Sequence, residues 1–466
     1  MTKHVLSHSW KVLRAIVSVA LLVVLLLPAG VYIALSTPGV QNAIKTTASK
    51  ELGTLLGAPV EIGQLGIRPF SRVDLRDVKV MDPEAPKKAM ASVRSVSARF
   101  ELYHFLRTGR IIIDYALLEG LDVRLSRATP DSPLNIQPII DALKGDGKKK
   151  QPAHFSLRIS NVAILDGSFS YDVASEARRQ GPDGRPIFDP SHIRVTCVEL
   201  NAYAPRISNE RYAIDLAHLS FRESSGFELL GLEAEVKADS TEARVEGLRL
   251  RLPASTLSFA PISLKWPGLG KIAESLDSER LALRTSGVNT LCPADLRAFV
   301  PALGAFPEPL SVNIDASADK KSAELRELRI FDSVNPGRLS LTLRGEARAR
   351  RDSTELPAIN VRELRLTALP KELLARIPGA PKGRVREVAA SLGSIQLTGE
   401  GSMSSEGNAH LDADLRSSIA GNVTLKASGK LSAGFRPVTA DLEAAAERLE
   451  IGALLGIREL GAVTAT

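Results

Sequence analysis

From Val60 onward the chain alternates apolar and polar residues with a period of two, and this pattern limits the possible folds more than any other feature. One example runs from Leu248 to Leu252, where three leucines alternate with two arginines. Because successive side chains of a strand point to opposite faces, each such segment has one apolar and one wetted face. Short Gly, Asp, Asn and Pro turns separate the segments, so the sequence predicts a mainly β fold of antiparallel strands.

The alternation breaks once in an informative way. Val73 and Leu75 share one phase, and Val78 and Val80 share the other. A β-bulge near Asp77 would produce this slip.

The apolar phase defines a set of side chains that we expect to line an apolar groove, while Arg249, Arg251 and Arg365 point outward. The predicted lining residues are Leu248, Leu250, Leu252, Val312, Ile314, Leu341, Leu343, Leu364 and Leu366.

The N-terminus carries an apolar run from Ala15 to Leu35, long enough to cross a bilayer as a helix. Lys3, Lys11 and Arg14 precede it, and no charge follows until Lys45. The positive-inside bias then predicts a single-pass inner-membrane protein with its N-terminus in the cytoplasm and its bulk in the periplasm. A cleaved signal peptide is the alternative, because Ala34 and Ser36 form a small-x-small pattern.

Two helices are predicted beside the strands. The first follows the apolar run, with Pro38 suited to its first turn and Gly57 to its C-cap. It is either a collar on the membrane or an ordinary helix packed on the first sheet. The second contains Ile136, Ile139 and Leu143 at helical spacing.

Composition and motifs argue against several classes of function. The net charge of +7 is spread without a basic block, which argues against nucleic-acid binding. The sequence has no nucleophile elbow, phosphate loop or metal-ligand spacing, so we expect no catalytic residues, cofactor or metal. Cys197 is interpreted as a buried thiol, with a disulfide to Cys292 as the alternative.

An internal repeat suggests the organisation of the second half. Residues 294–301, 371–378 and 449–456 share a short helical pattern, spaced about 77 residues apart, between strands. The strand after the third helix stops early, so we expect a C-terminally truncated chain. The predicted domains are an anchor (1–36), a juxtamembrane helix (37–57), a first β unit (58–145), a second (146–270), and groove repeats (271–466).

Several blocks spread along the chain resemble the TamB branch of the AsmA-like superfamily, and their order makes the similarity more specific. They are the anchor followed by 40–44, LGAPVEIG (56–63), VDLRDVKV (73–80), LEGLDV (118–123), LNIQ (134–137), FDPSHI (188–193), LSFRESSGF (219–227) and LRLRLPAS (248–255).

This resemblance implies an elongated β-sheet curled into an open groove, called a β-taco, behind an inner-membrane anchor. It also implies a role in phospholipid transport or outer-membrane protein assembly. The expected partners are membrane lipids and an Omp85-type outer-membrane barrel, the latter through a C-terminal domain that this sequence lacks. A scaffold that presents β-edges to unfolded clients, without lipid transfer, is the alternative function.

Overall fold

Strands dominate the computed structural model of the chain, with 61% strand and 14% helix, as the alternation predicted. The structure describes residues 37–465 except 69–71, 84, 86, 101–111, 145–157, 182–183, 208–210, 240, 266–279, 320, 349–355, 377–382, 433–435 and 451–461. The described residues divide into two compact units, the first up to Arg178 together with Asp189–Pro205, and the second comprising Arg179–Phe188 and Arg206 onward. The predicted domain boundaries stay predictions.

Unit 1 begins with helix α1 and contains one further helix and seven strands. They are α1 (Pro38–Leu56), β1 (Val60–Arg68), β2 (Arg72–Met81), β3 (Ala89–Phe100), β4 (Ile112–Arg127), α2 (Gln137–Lys144), β5 (Arg158–Ile159), β6 (Asn161–Val173) and β7 (His192–Ile207). Pro38 opens α1 and Gly57 ends it in the left-handed conformation, as predicted. Ala58, Met90 and Ile139 form a buried cluster where α2 meets the sheet.

The strands of unit 1 pair in the order β1–β2–β3–β4–β6–β7. All of these pairs are antiparallel except β4–β6, which is parallel. The prediction of purely antiparallel strands is therefore wrong here. Two strands that run the same way need a crossover connection, and the segment that contains α2 provides it.

A line of left-handed residues crosses unit 1. It comprises Asp77, Gly120, Asp166 and Cys197, on β2, β4, β6 and β7. The slip predicted at Asp77 is therefore real, but β2 keeps a one-to-one register with β1 and β3 around it. The slip is thus a backbone inversion rather than the inserted residue of a bulge.

The described residues of unit 2 contain the remaining strands and two α-helices. They are β8 (Arg211–Glu223), β9 (Glu228–Leu229), β10 (Gly231–Asp239), β11 (Glu242–Arg251), β12 (Thr256–Ser258), β13 (Ile262–Lys265), β14 (Leu281–Arg284), β15 (Thr290–Leu291), β16 (Leu310–Ala318), β17 (Ser322–Phe331), β18 (Leu339–Arg348), β19 (Ala358–Ala368), α3 (Pro370–Arg376), α4 (Arg384–Ser391), β20 (Ile395–Met403), β21 (Asn408–Ser417), β22 (Gly421–Ser432), β23 (Arg436–Glu450) and β24 (Ala462–Ala465).

From β16 to β24 each strand pairs antiparallel with the next in sequence. Short 3-10 helices at Pro293–Leu296 and Pro301–Ala305 precede β16, and α3 and α4 precede β20. The first two repeat helices were therefore predicted in the right places. Of the third, Leu449 and Glu450 lie at the end of β23, and residues 451–456 lie outside the described part.

Two further predictions require correction. Among the described residues no helix is both long and apolar enough to cross a membrane. This finding contradicts the predicted single-pass inner-membrane location. The run from Ala15 to Leu35, on which that prediction was based, lies outside the described residues. α1 has the length, but it carries Lys45, Lys50 and Glu51. Both cysteines are free, and Cys197 is exposed rather than buried.

Candidate apolar binding face

One face of strands β16–β23 carries continuous rows of apolar side chains. The antiparallel register places the apolar residues of one strand directly opposite the apolar residues of the next. The alternating apolar residues of the strands therefore form rows that run across the sheet. We call the two longest leucine-containing sets row 1 and row 2. Row 1 is Val312, Ile330, Leu341, Leu366, Leu397, Leu415, Val423 and Ala446, and row 2 is Ile314, Leu328, Leu343, Leu364, Gly399, Ala413, Leu425 and Ala444.

The apolar face is covered at its β16 end and most open on β23, but exposure does not rise evenly between them, since Ala413 on β21 is buried. Val312 on β16 is 1% exposed, whereas Leu411 on β21 is 41% and Leu442 on β23 is 67% exposed. The leucines of β18 and β19 lie between these limits and are half-buried. A packed core would bury all of these side chains, so part of the face meets solvent.

The structure places six of the predicted groove residues in the two rows, namely Val312, Ile314, Leu341, Leu343, Leu364 and Leu366. The other three lie on β11 or directly after it: Leu250 lies opposite Leu232 and Leu257, Leu248 is half-buried, and Leu252 is buried. Arg249, Arg251 and Arg365 are exposed. That these residues line a groove stays a prediction.

The opposite face of the same strands is charged and paired. Asp315 lies 2.9 Å from Arg284 and 3.6 Å from Arg326, and Arg344 lies 3.1 Å from both Glu327 and Glu363. Exposed pairs of this kind add little stability. Their arrangement shows which face of the sheet is wetted.

An arginine joins the connections at the covered end of the rows. The guanidinium of Arg338 lies within hydrogen-bond or ion-pair distance of Glu372, Glu308 and Asp332. The hydrogen bond to Glu372 raises the pKa of Arg338, and the charges of Glu372, Glu308 and Asp332 add to this effect. Backbone N–H groups of Asn335 and Val334 lower the pKa of Asp332.

Beside this arginine lies a small cavity of about 40 Å³ whose apolar lining is Phe306, Leu310, Leu339 and Leu373. Leu310 and Leu339 have the same phase as row 1 on β16 and β18. The helical connections therefore cover the edge of the apolar face at which β16 and β18 begin. The sequence analysis missed Arg338, since only the neighbouring turn Asn335–Gly337 has a local signal and its partner Glu372 is distant in sequence.

The described residues contain no group of histidine, cysteine or carboxylate side chains that could hold a metal ion. No known family model, curated protein or solved structure matches the chain.

Proposed function

We propose that the apolar face of β16–β23 binds lipid acyl chains and lets them move along its rows. The observation that carries this proposal is the partial exposure of a continuous apolar face, which reaches 67% at Leu442. Large exposed apolar surfaces are uncommon on soluble proteins unless they meet an apolar ligand or partner.

The energetics of burial favour an acyl ligand. Each methylene removed from water contributes roughly 0.8 kcal/mol, so a chain of about 16 carbons gains on the order of 12 kcal/mol before ordering costs. Strands about 4.8 Å apart place successive members of each row at short, regular steps. A chain can therefore shift from one strand to the next without leaving the apolar surface.

The resemblance of several sequence blocks to TamB-like proteins supports the same proposal. In this interpretation the sheet of unit 2 curls into the open groove expected of that family. The ligand is then phospholipid, and an Omp85-type barrel is the expected partner. The role in outer-membrane protein assembly is part of the same proposal.

Photo-crosslinking tests the proposal directly. A benzophenone amino acid replaces Leu411 on the apolar face or Asp412, which lies on the other face of the same strand. The full-length chain is irradiated with phospholipid vesicles, and its adducts are identified by mass spectrometry. We expect lipid adducts at position 411 and few at position 412.

The same experiment separates the alternatives. Polypeptide adducts at 411 in cells, without lipid adducts, would favour the scaffold that presents β-edges to clients. Equal lipid labelling at both positions would contradict the proposal, because it would show contact without selection of a face.

A further inference from the structure

A second set of side chains, in unit 1, forms a polar row across neighbouring strands. Arg72 on β2 pairs with Arg99 on β3, which pairs with Tyr115 on β4. β4 and β6 pair in parallel, and the residue numbers of paired residues differ by the same amount before and after Tyr115. This register places Tyr115 beside Asn161, which pairs with Tyr203 on β7. Because opposite residues share a face, these side chains lie side by side.

Three polar groups in the middle of this row have no partner among the described residues. The Arg99 guanidinium makes no ion pair, the Tyr115 hydroxyl makes no hydrogen bond, and Oδ1 of Asn161 is buried without a donor. Oδ1 of Asn201, on the same face and diagonal to Asn161, is also buried without a donor. Arg99 is exposed, whereas the two amide oxygens are buried, and folded proteins rarely leave buried polar atoms unpaired.

Several other arginines of the unit 1 sheet are paired. Arg94 lies 2.7 Å from Asp166, and Arg124 lies 2.6 Å from Asp122. Arg72 itself donates to Asp74 at 2.8 Å and to Ser97 at 2.9 Å, while Ser97 donates to Asp74. Arg99 and Arg76 both lack an ion pair among the described residues, and of the two only Arg99 lines the cavity described next.

Arg99 and Tyr115 line a concavity, and Asn161 lies next to Tyr115 on the same face without lining it. A cavity of about 360 Å³ lies over this face, and its lining residues are Arg72, Ser97, Ala98, Arg99, Tyr115 and Leu117. Asp74 balances the charge of Arg72. No described carboxylate balances the charge of Arg99, so the cavity favours an anion.

We propose that this row is a binding site for a phosphate ester that also carries an amine or hydroxyl group. The planar fork of Arg99 binds two phosphate oxygens, and the Tyr115 hydroxyl donates to a phosphate oxygen. The amide of Asn161 accepts the N–H or O–H of the ligand, which satisfies its buried oxygen. A free phosphate monoester and the phosphodiester headgroup of a lipid share this chemistry.

The test is titration of the full-length chain with three probes, followed by calorimetry and ³¹P NMR. The probes are inorganic phosphate, phosphoethanolamine and glycerophosphoethanolamine. We expect phosphoethanolamine to bind more tightly than inorganic phosphate, because only the ester carries a donor for Asn161. A tighter complex with glycerophosphoethanolamine identifies a lipid headgroup as the ligand, and the reverse order identifies a free monoester.

Variants with matched controls assign the site. We expect Arg99→Gln to weaken binding of phosphoethanolamine by about tenfold or more, since it removes charge-assisted bonds. Tyr115→Phe weakens it by about threefold to tenfold. Arg124→Gln removes an exposed arginine from the neighbouring part of β4 and leaves the affinity unchanged within about twofold.

Asn161→Leu provides a readout that a purely structural role would not give. Removing an unpaired buried amide should raise the Tm, while the preference for phosphoethanolamine over inorganic phosphate should fall. The proposal is overturned if none of the probes binds saturably, or if Arg99→Gln and Arg124→Gln bind phosphoethanolamine as tightly as the unmodified protein.

Discussion

Nε of Arg338 donates a 2.6 Å hydrogen bond to Oε2 of Glu372, and this bond joins the turn before β18 to helix α3. The guanidinium also lies 3.7 Å from Glu308, which precedes β16, and 3.7 Å from Asp332. A single side chain therefore connects three segments at the covered end of the apolar face.

Replacing Arg338 by methionine should lower the Tm at neutral pH, because three carboxylates are left near one another without a cation. The charge of Arg338 helps to lower the pKa of Asp332, so the difference from the unmodified protein should narrow as the pH falls below 3.8. Thermal unfolding from pH 7 to below pH 3.8 measures both effects. Arg365→Met, which removes an exposed arginine paired with Glu363, is the control and should have little effect at either pH. A Tm deficit that is independent of pH would contradict the argument.

Asp319 should contribute stability that depends on pH. Backbone N–H groups of Lys321 and Ser322 donate to its carboxylate and lower its pKa below the ordinary 3.8. A lowered folded-state pKa stabilises the fold above the unfolded value, and the contribution disappears as the pH falls through the folded value.

The Asp319→Asn variant should therefore be less stable than the unmodified protein at pH 7, and the two should converge below pH 3.8. Urea midpoints measured across this range check the prediction. Asp441→Asn changes an exposed aspartate without a side-chain partner among the described residues, and it controls for the loss of one negative charge. Curves for Asp319→Asn that run parallel to those of the unmodified protein at all pH values would refute it.

The left-handed backbone at Asp77 should tolerate glycine and resist branched residues. Asp77 has a φ of 53°, a conformation that crowds the Cβ of most residues. Asp77→Val should destabilise unit 1 by about 1–2 kcal/mol, whereas Asp77→Gly should change stability by less than about 1 kcal/mol. Lys79→Val, at an exposed position on the same strand, should have little effect. Chemical denaturation that ranks valine at 77 with valine at 79 would show that the backbone inversion is not required.

At the open end of the apolar face, a charged substitution should reduce lipid binding without impairing folding. Leu442 is 67% exposed, so Leu442→Asp should shift the Tm by no more than about 2 °C. It should also reduce the amount of phospholipid that copurifies, because a charge now lies on the proposed path. Ala445→Asp adds the same charge on the other face of β23 and is the control. Equal losses of lipid in both variants would count against the apolar face as the binding surface.

Features that depend on neighbouring residues could be predicted from the sequence. The two-residue alternation predicted the strands, Pro38 and Gly57 predicted the bounds of α1, and the change of phase located the inversion at Asp77. The third repeat helix stays a prediction for residues 451–456, which lie outside the described part, while Leu449 and Glu450 belong to β23, since a short apolar run suits a strand as well as a helix.

Features that depend on strand order could not be predicted. Alternation carries no information on strand direction, so the parallel pair β4–β6 was not foreseen. The row of Arg99, Tyr115 and Asn161 arises from the register of β3, β4 and β6, and β6 pairs with β4 only through a crossover connection. No local motif marks it, since each residue alone is typical of a wetted strand face.

The pairing of β16–β24 has a consequence for how unit 2 unfolds. Each of these strands hydrogen-bonds to its sequence neighbours, so its stability is close to a sum of nearest-neighbour terms. Such a ladder loses strands from its edge, and a defect in the middle divides it into parts that melt separately. Hydrogen exchange should therefore show protection that rises from β24 inward, and one global free energy of unfolding would not describe this region.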